Sequence, residues 1–238
     1  MSRLRRLRVA ALATGDCELS EAEAHYASRV LRLRSGDQVE VFDGRGCIGT
    51  GVFAAGHVRV EDVESVPAPL IRLTIAVAPP KGERADWLVE KVGELGAAQL
   101  VWLKTERSVA EASRRIERHR RVAEAAARQS GRAFITEIEE PLSFERFLQR
   151  DFDHRILTHP GAECGLSIEP SSKEKSVAVL VGPEAGFTEA EVLSALTAGY
   201  AKMNIARSIL RIETAAVVAT AFALREVCAV DEAESEVR

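Results

Sequence analysis

The chain has 238 residues, a formal net charge of -4, 46% hydrophobic and 29% charged residues, the composition of an ordinary soluble globular protein with room for one large core or two smaller ones. No apolar run approaches the roughly 18 residues of a membrane span, so a transmembrane protein is excluded and no membrane partner is expected. Cys17, Cys47, Cys164 and Cys228 form no C-x-x-C pair and the five histidines lack ligand spacing, so the sequence is read as having free thiols, a reducing cytoplasm and no metal.

The Arg-rich start, MSRLRRLRVAALATG, has no apolar run with a cleavage site and reads as a basic strand or arm rather than a transit peptide. SEAEAHYASRVLRL then has helical character, with Ser20 and Glu23 spaced as a capping box. QVEVFDG, GCIGTGVF and HVRVEDVESV alternate as strands, with Asp43-Gly44 as a turn signal. The expectation is a small barrel with one helix over residues 1–68, ended by Pro67-Ala68-Pro69.

From residue 71 onward strands and helices alternate. LIRLTIAVAPP reads as a strand, ERADWLVEKVGELG as a helix stopped at Gly96, AQLVWLKT as a strand and SRRIERHRRVAEAAARQSG as a long basic helix. That helix reads equally well as a phosphate-binding patch or as a solvated Arg/Glu face. HRILTH and SVAVLV are short buried strands, TEAEVLSALTAGY a helix, AKMNIA a last strand and ETAAVVATAFALREVCAV a closing apolar helix. The fold class is therefore α/β with an open, largely parallel sheet.

Ligands in such sheets collect beyond the carboxyl ends of the strands, which selects the loops HPGAECG, GPEAGF and RSILRI. GPEAGF is neither a Walker loop nor a Rossmann fingerprint, and Glu184 would repel phosphate; backbone groups at close approach suit an adenine or ribose better. Thr188 and Glu191 make a second capping box and Phe187 can staple onto Val192, so Phe187 and Thr188 already have structural explanations.

Three blocks then carry a resemblance: PKGERADWLVEKVGELGAAQLVWLKTERSV, VGPEAGFTEAE and NIARSILRIETA. Together they resemble the SPOUT methyltransferases, and within them the RsmE family, which methylates N3 of a uridine in 16S ribosomal RNA. HYASRVLRLRSGDQVEVFDGRG is similar to that family's small amino-terminal RNA-binding barrel. The resemblance implies a PUA-like β-barrel domain over 1–68 and a SPOUT methyltransferase domain over 71–238 with a carboxyl-terminal trefoil knot. It also implies S-adenosylmethionine as cofactor, a homodimer, and 16S ribosomal RNA or the small ribosomal subunit as partner.

Carried residue by residue, the resemblance implies cofactor contacts from Thr158 and His159, and from Val181, Gly182, Pro183, Glu184, Gly186 and Phe187. Ile205, Ala206, Ser208, Ile209 and Leu210, with Thr214 and Ala215, complete that set. A sulfonium cation and no phosphate would make Glu184 an acceptable neighbour. Arg211 and Arg107 are the candidates for stabilising charge on the uracil oxygens, with ion pairs to Glu213 and Glu106 as the competing explanation; Glu184 is either a base or a cofactor-orienting group. Arg3, Arg5, Arg6, Arg8, Arg29, Arg32 and Lys81 are expected to grip RNA. Two departures stand out: Ala185 replaces a usual glycine, and Ser208 replaces the first arginine of R-I-L-R.

Overall fold

The computed structural model describes residues 4–108, 115–162 and 174–235, the last eleven as backbone only. The chain divides into two compact units, Met1–Ala68 with Glu124–Ile135, and Pro69–Ala123 with Thr136–Arg238.

The first unit is a five-stranded sheet in the order β1-β3-β4-β5-β2, built from β1 Arg5–Arg8, β2 Gly15–Glu18, β3 Gln38–Phe42, β4 Cys47–Ala54 and β5 His57–Ser65. Only the β1–β3 pair is parallel. Alternation along these strands turns Leu7, Val39, Val41, Phe53, Val58 and Val60 into one core. The expected helix is split. Helix α1 covers Glu21–His25, a π-helical turn follows over Tyr26–Val30, and Arg32 ends it at a left-handed φ of 56°. Only half of the first capping box forms: the Ser20 hydroxyl accepts the Glu23 N–H at 3.2 Å. The Glu23 carboxylate is buried instead, accepting the Arg8 N–H at 2.8 Å and pairing with Arg128 at 2.9 Å. Burial raises its pKa, against the opposing pull of the Arg8 N–H and the Arg128 charge.

Arg6 corrects the reading of the basic amino terminus. It is 4% exposed. Its guanidinium donates to the carbonyls of Ala127 and Arg132 at 3.0 and 3.1 Å, pairs with Glu40 and lies over the Phe42 ring. A side chain so enclosed holds residues 124–135 onto the sheet and is not presented to RNA. These contacts explain why that segment belongs to the first unit although it follows the start of the second in sequence.

The second unit is a six-stranded parallel sheet in the order β11-β9-β10-β6-β7-β8. Its strands are β6 Ile71–Val77, β7 Gln99–Lys104, β8 Glu137–Ser143, β9 His154–Thr158, β10 Lys175–Val181 and β11 Ala201–Met203. The near-continuous burial of β6 and β10 is that of central parallel strands covered on both faces. Helix α2, Arg84–Leu95, buries Leu88, Val89 and Val92, and stops where Gly96 takes a φ of 97°. Helix α3 is Ile116–Ser130, α5 is Glu189–Thr197, and α6, Ile212–Ser235, packs on α2, β6 and β10. Strand β8 and helix α4, Phe144–Leu148, had no expectation in the sequence. Strand β8 is an edge strand, where Glu-rich sequence and Pro141 are tolerated, and Phe144 and Phe147 of α4 are fully buried.

Most of the α3 arginines that the structure describes are paired: Arg118 with Asp86, Arg120 with Glu117 and Glu140, Arg128 with Glu23 and Glu124. Arg114 lies outside the described residues. The solvated Arg/Glu face is the better reading of this helix. Beneath it, His119 is buried beside Asp86 and the Trp102 ring, and burial lowers its pKa.

Two outcomes follow from these buried groups. Replacing Arg6 with alanine strands the Glu40 carboxylate and two carbonyls, and should cost roughly 3 kcal/mol in urea unfolding. The lowered His119 pKa means that the unfolded chain takes up its proton first. That contribution to stability is whole above the ordinary value of 6.5 and declines as pH falls below it. Unfolding titrations between pH 7.5 and 5.5 should show this slope, reduced in His119→Gln.

Candidate functional site

The parallel register places the ends of four strands level. Val181 pairs with Val77, Leu180 with Leu157 and Met203 with Thr158. The loops after β9, β10 and β11 therefore leave the sheet at one edge, and between them lies a cleft of about 370 Å³. Thr158, His159, Val181, Gly182, Pro183, Glu184, Gly186 and Phe187 line it, facing Ile205, Ala206, Ser208, Ile209, Leu210 and Ala215. Ala185 also lines it, as do Pro160, Gly161, Asn204, Arg207 and Ile212, which were not named as contacts in the sequence. All but Asn204 fall within the loops selected by their place at the carboxyl ends of the strands.

Two expected residues fall elsewhere. Arg211 and Thr214 line a separate pocket of about 310 Å³ with Arg84, Trp87 and Glu213. Thr214 is thus corrected from a cleft residue to a lining residue of the adjoining pocket. The cause is local. Leu210, Ile212 and Ala215 are turned into the cleft, and the intervening residues Arg211, Glu213 and Thr214 point to the other side of the same short segment. Glu213 pairs with Arg84, at 3.7 Å, and no ion pair links it to Arg211.

The loop after β10 is built from its own backbone. The Gly186 N–H donates to the Pro183 carbonyl at 2.8 Å, and Gly186 has a φ of 71°, which favours glycine. A Cβ on Gly182 would stand 3.0 Å from the Phe187 ring, so a larger residue there requires the ring to shift. Phe187 in turn packs against Phe144, with ring centroids 5.3 Å apart, and shares the core cluster with Val192. Ala185 has no left-handed φ, so its methyl group adds no backbone strain.

Two long-range contacts tie this loop to the one after β7. Glu191, buried, completes the Thr188 capping box by accepting the Thr188 N–H at 2.8 Å. Its other oxygen accepts the Glu106 N–H at 2.9 Å. Next to it, the exposed Arg107 donates to the Ala185 carbonyl at 2.9 Å rather than pairing with Glu106. The cleft thus has a guanidinium fixed to its rim from outside. Arg207 supplies a second cation on the opposite loop, one residue before Ser208. Asn204 shapes that loop by accepting the Ala206 N–H at 3.1 Å. Glu184 is exposed on the lining.

Apolar walls, open backbone groups and sparse charge suit a flat heterocycle with a polar tail, and nothing in the lining resembles a phosphate cage. Among the described residues no cluster of three or more His, Cys, Asp or Glu could hold a metal, and no helix is long and apolar enough to cross a membrane. In the first unit Arg5, Arg29 and Arg32 are exposed, Arg8 pairs with Glu124, and Arg3 lies outside the described residues. Lys81, in the loop after β6, is exposed as well.

Comparison with known proteins agrees with this architecture. Residues 66–224 match the model of an RNA methyltransferase domain and residues 19–60 that of an RNA methyltransferase PUA domain. Ribosomal RNA small subunit methyltransferase E of Synechocystis sp. is 31% identical over 85% of this chain and 71% of its own length. The Bacillus subtilis protein of the same name is 30% identical over 81% of this chain and 83% of its own. Among solved structures, a Legionella pneumophila protein described as a methyltransferase, in complex with SAM, superposes with a TM-score of 0.86 at 25% identity, covering 94% of this chain and 98% of that one. Ribosomal RNA small subunit methyltransferase E from Neisseria gonorrhoeae, bound to S-adenosyl methionine, shares the fold at a TM-score of 0.84 and 24% identity, over 92% and 96% of the two chains. With a family model spanning most of its length and relatives matched across both units, the chain belongs to the ribosomal RNA small subunit methyltransferase E family.

Proposed function

We propose that this protein transfers a methyl group from S-adenosylmethionine to N3 of a uridine in 16S ribosomal RNA. The observation that carries the reading is the single cleft made by the loops at 182–187 and 204–210, in a chain of this family. The cleft fits the cofactor. Val181, Pro183, Ile205 and Leu210 offer apolar walls for an adenine, the backbone of both loops offers donors and acceptors, and the carboxylate of Glu184 is compatible with a cation. When bound, S-adenosylmethionine supplies an electrophilic methyl group on sulfur.

The chain's own residues then orient the acceptor. Holding two reactants in line contributes roughly 7 to 11 kcal/mol through effective molarity, which is the part of catalysis a rigid cleft can deliver. An imide nitrogen that gives up its proton spreads charge onto the uracil oxygens. Arg107, held by the Ala185 carbonyl with donors to spare, is the guanidinium group for that charge, whereas Arg211, turned into the adjoining pocket, is corrected out of that role. Glu184 orients the cofactor or takes the proton.

Arg5, Arg29, Arg32 and Lys81 grip the phosphate backbone in this reading, and the target base leaves its stack to enter the site. A homodimer belongs to it too, supported by Leu95 of α2 and Phe222 of α6, large apolar side chains left exposed. So does the trefoil knot, supported by the return of α6 from β11 to pack on β6 and β10. A ribosomal RNA substrate implies action in the cytoplasm.

The test is nucleoside mass spectrometry of 16S RNA or small subunits lacking the modification, incubated with the protein and S-adenosylmethionine. 3-Methyluridine should appear; methylation at another atom would reassign the substrate. Gly182→Leu, whose side chain must displace Phe187, should abolish cofactor binding in calorimetry while the first unit stays folded. Arg107→Ala should lower kcat about 100-fold with cofactor affinity within two-fold of wild type.

A further inference from the structure

The pocket beside the cleft has a lining of its own, and its chemistry is specific. Trp87, in the first turn of α2, is 42% exposed. Arg84 and Arg211 stand beside it with Thr214, and the nearly buried Glu213 carboxylate holds Arg84 at 3.7 Å. Two guanidinium groups against one carboxylate leave the pocket net positive. An exposed aromatic face flanked by cations is the pattern on which unpaired bases stack while their phosphates are held.

Its location adds to this. The segment 210–215 is a shared wall, with Leu210 and Ile212 on the cleft side and Arg211 and Thr214 on the pocket side. Strand β6, which leads into α2, ends level with the strands whose loops form the cleft. Resting on the methyltransferase reading above, we infer that this pocket receives an unpaired nucleotide of the RNA substrate, its base against Trp87 and its phosphate between Arg84 and Arg211. A second copy of the chain fits the pocket less well. The centres of protein interfaces are depleted in charge, and Leu95 and Phe222, which such a copy would cover, are not part of the lining.

The two tryptophans make the test direct, because Trp102 is fully buried and only Trp87 can meet a base. Tryptophan emission of the full-length protein is titrated with hexauridylate, and S-adenosylmethionine binding is measured separately by calorimetry. Hexauridylate should quench the emission of the wild type and leave that of Trp87→Leu unchanged. Arg84→Ala should weaken the quench about ten-fold and flatten its salt dependence. Trp87→Leu should raise KM for RNA about ten-fold with cofactor affinity unchanged.

A wild-type protein that binds the cofactor but shows no quench at saturating RNA overturns the inference. So does a Trp87→Leu variant that sediments as a smaller species with unaltered KM, because the face is then a protein contact. Quenching in a wild type that binds no S-adenosylmethionine would support the nucleotide pocket and remove the methyltransferase reading instead.

Discussion

The level ends of the parallel strands are the constraint on which everything else in the second unit depends. Register in a parallel sheet is set by the hydrogen-bond ladder, so the pairs Val181–Val77, Leu180–Leu157 and Met203–Thr158 bring four chain exits to one edge. A slip of one residue in β10 would turn its buried side chains to the opposite faces and withdraw the Gly182 loop from the rim. Val177 to Val181 are buried on both faces of the sheet, so a slipped strand would have to refit each side chain into space that is already filled. The site is thus placed by the core, and its loops need only modest local order.

That local order comes from a few polar contacts whose geometry leaves little choice. Glu191 is a buried carboxylate that would be costly unpartnered, and it is satisfied by N–H groups from two different loops at 2.8 and 2.9 Å. Charge-assisted hydrogen bonds of this kind fix the distance between the loop after β7 and the start of α5. Arg107 is positioned as a consequence, since its backbone neighbour Glu106 is one of the two donors. The rim cation and the loop after β10 are therefore tied to each other through both contacts.

Much of this was legible in the sequence, for identifiable reasons. Strands and helices with full periodicity, such as LIRLTIAV and ERADWLVEKVGEL, read correctly because burial on their faces is uniform. The capping box at Thr188 and the stop at Gly96 read correctly because each is a local interaction within a few residues. Where partners are distant the reading failed. Nothing near Arg6 in the chain reveals that Ala127 and Arg132 will enclose it, so it looked like one more surface cation. Strand β8 hid because an edge strand carries no apolar run, and Glu23 looked like a capping residue because its true partner, Arg128, is 105 positions away. Thr214, carried over from the family resemblance, falls on the other side of its segment because a motif match gives no direction at the point where a loop becomes a helix.

That last segment also explains how donor and acceptor can be brought together by so short a stretch of chain. As the chain enters α6, residues 210, 212 and 215 face one way and 211, 213 and 214 the other, so a single backbone path walls two pockets. Its carboxyl-terminal continuation is anchored by buried Ala216, Ala219 and Ala223, small side chains that let the helix approach its neighbours closely. The cleft side and the Arg211 side are thus two faces of the same few residues. For a reaction whose main demand is alignment of two bound molecules, a wall shared by two pockets and continued into a helix packed on the core places both with one short stretch of chain.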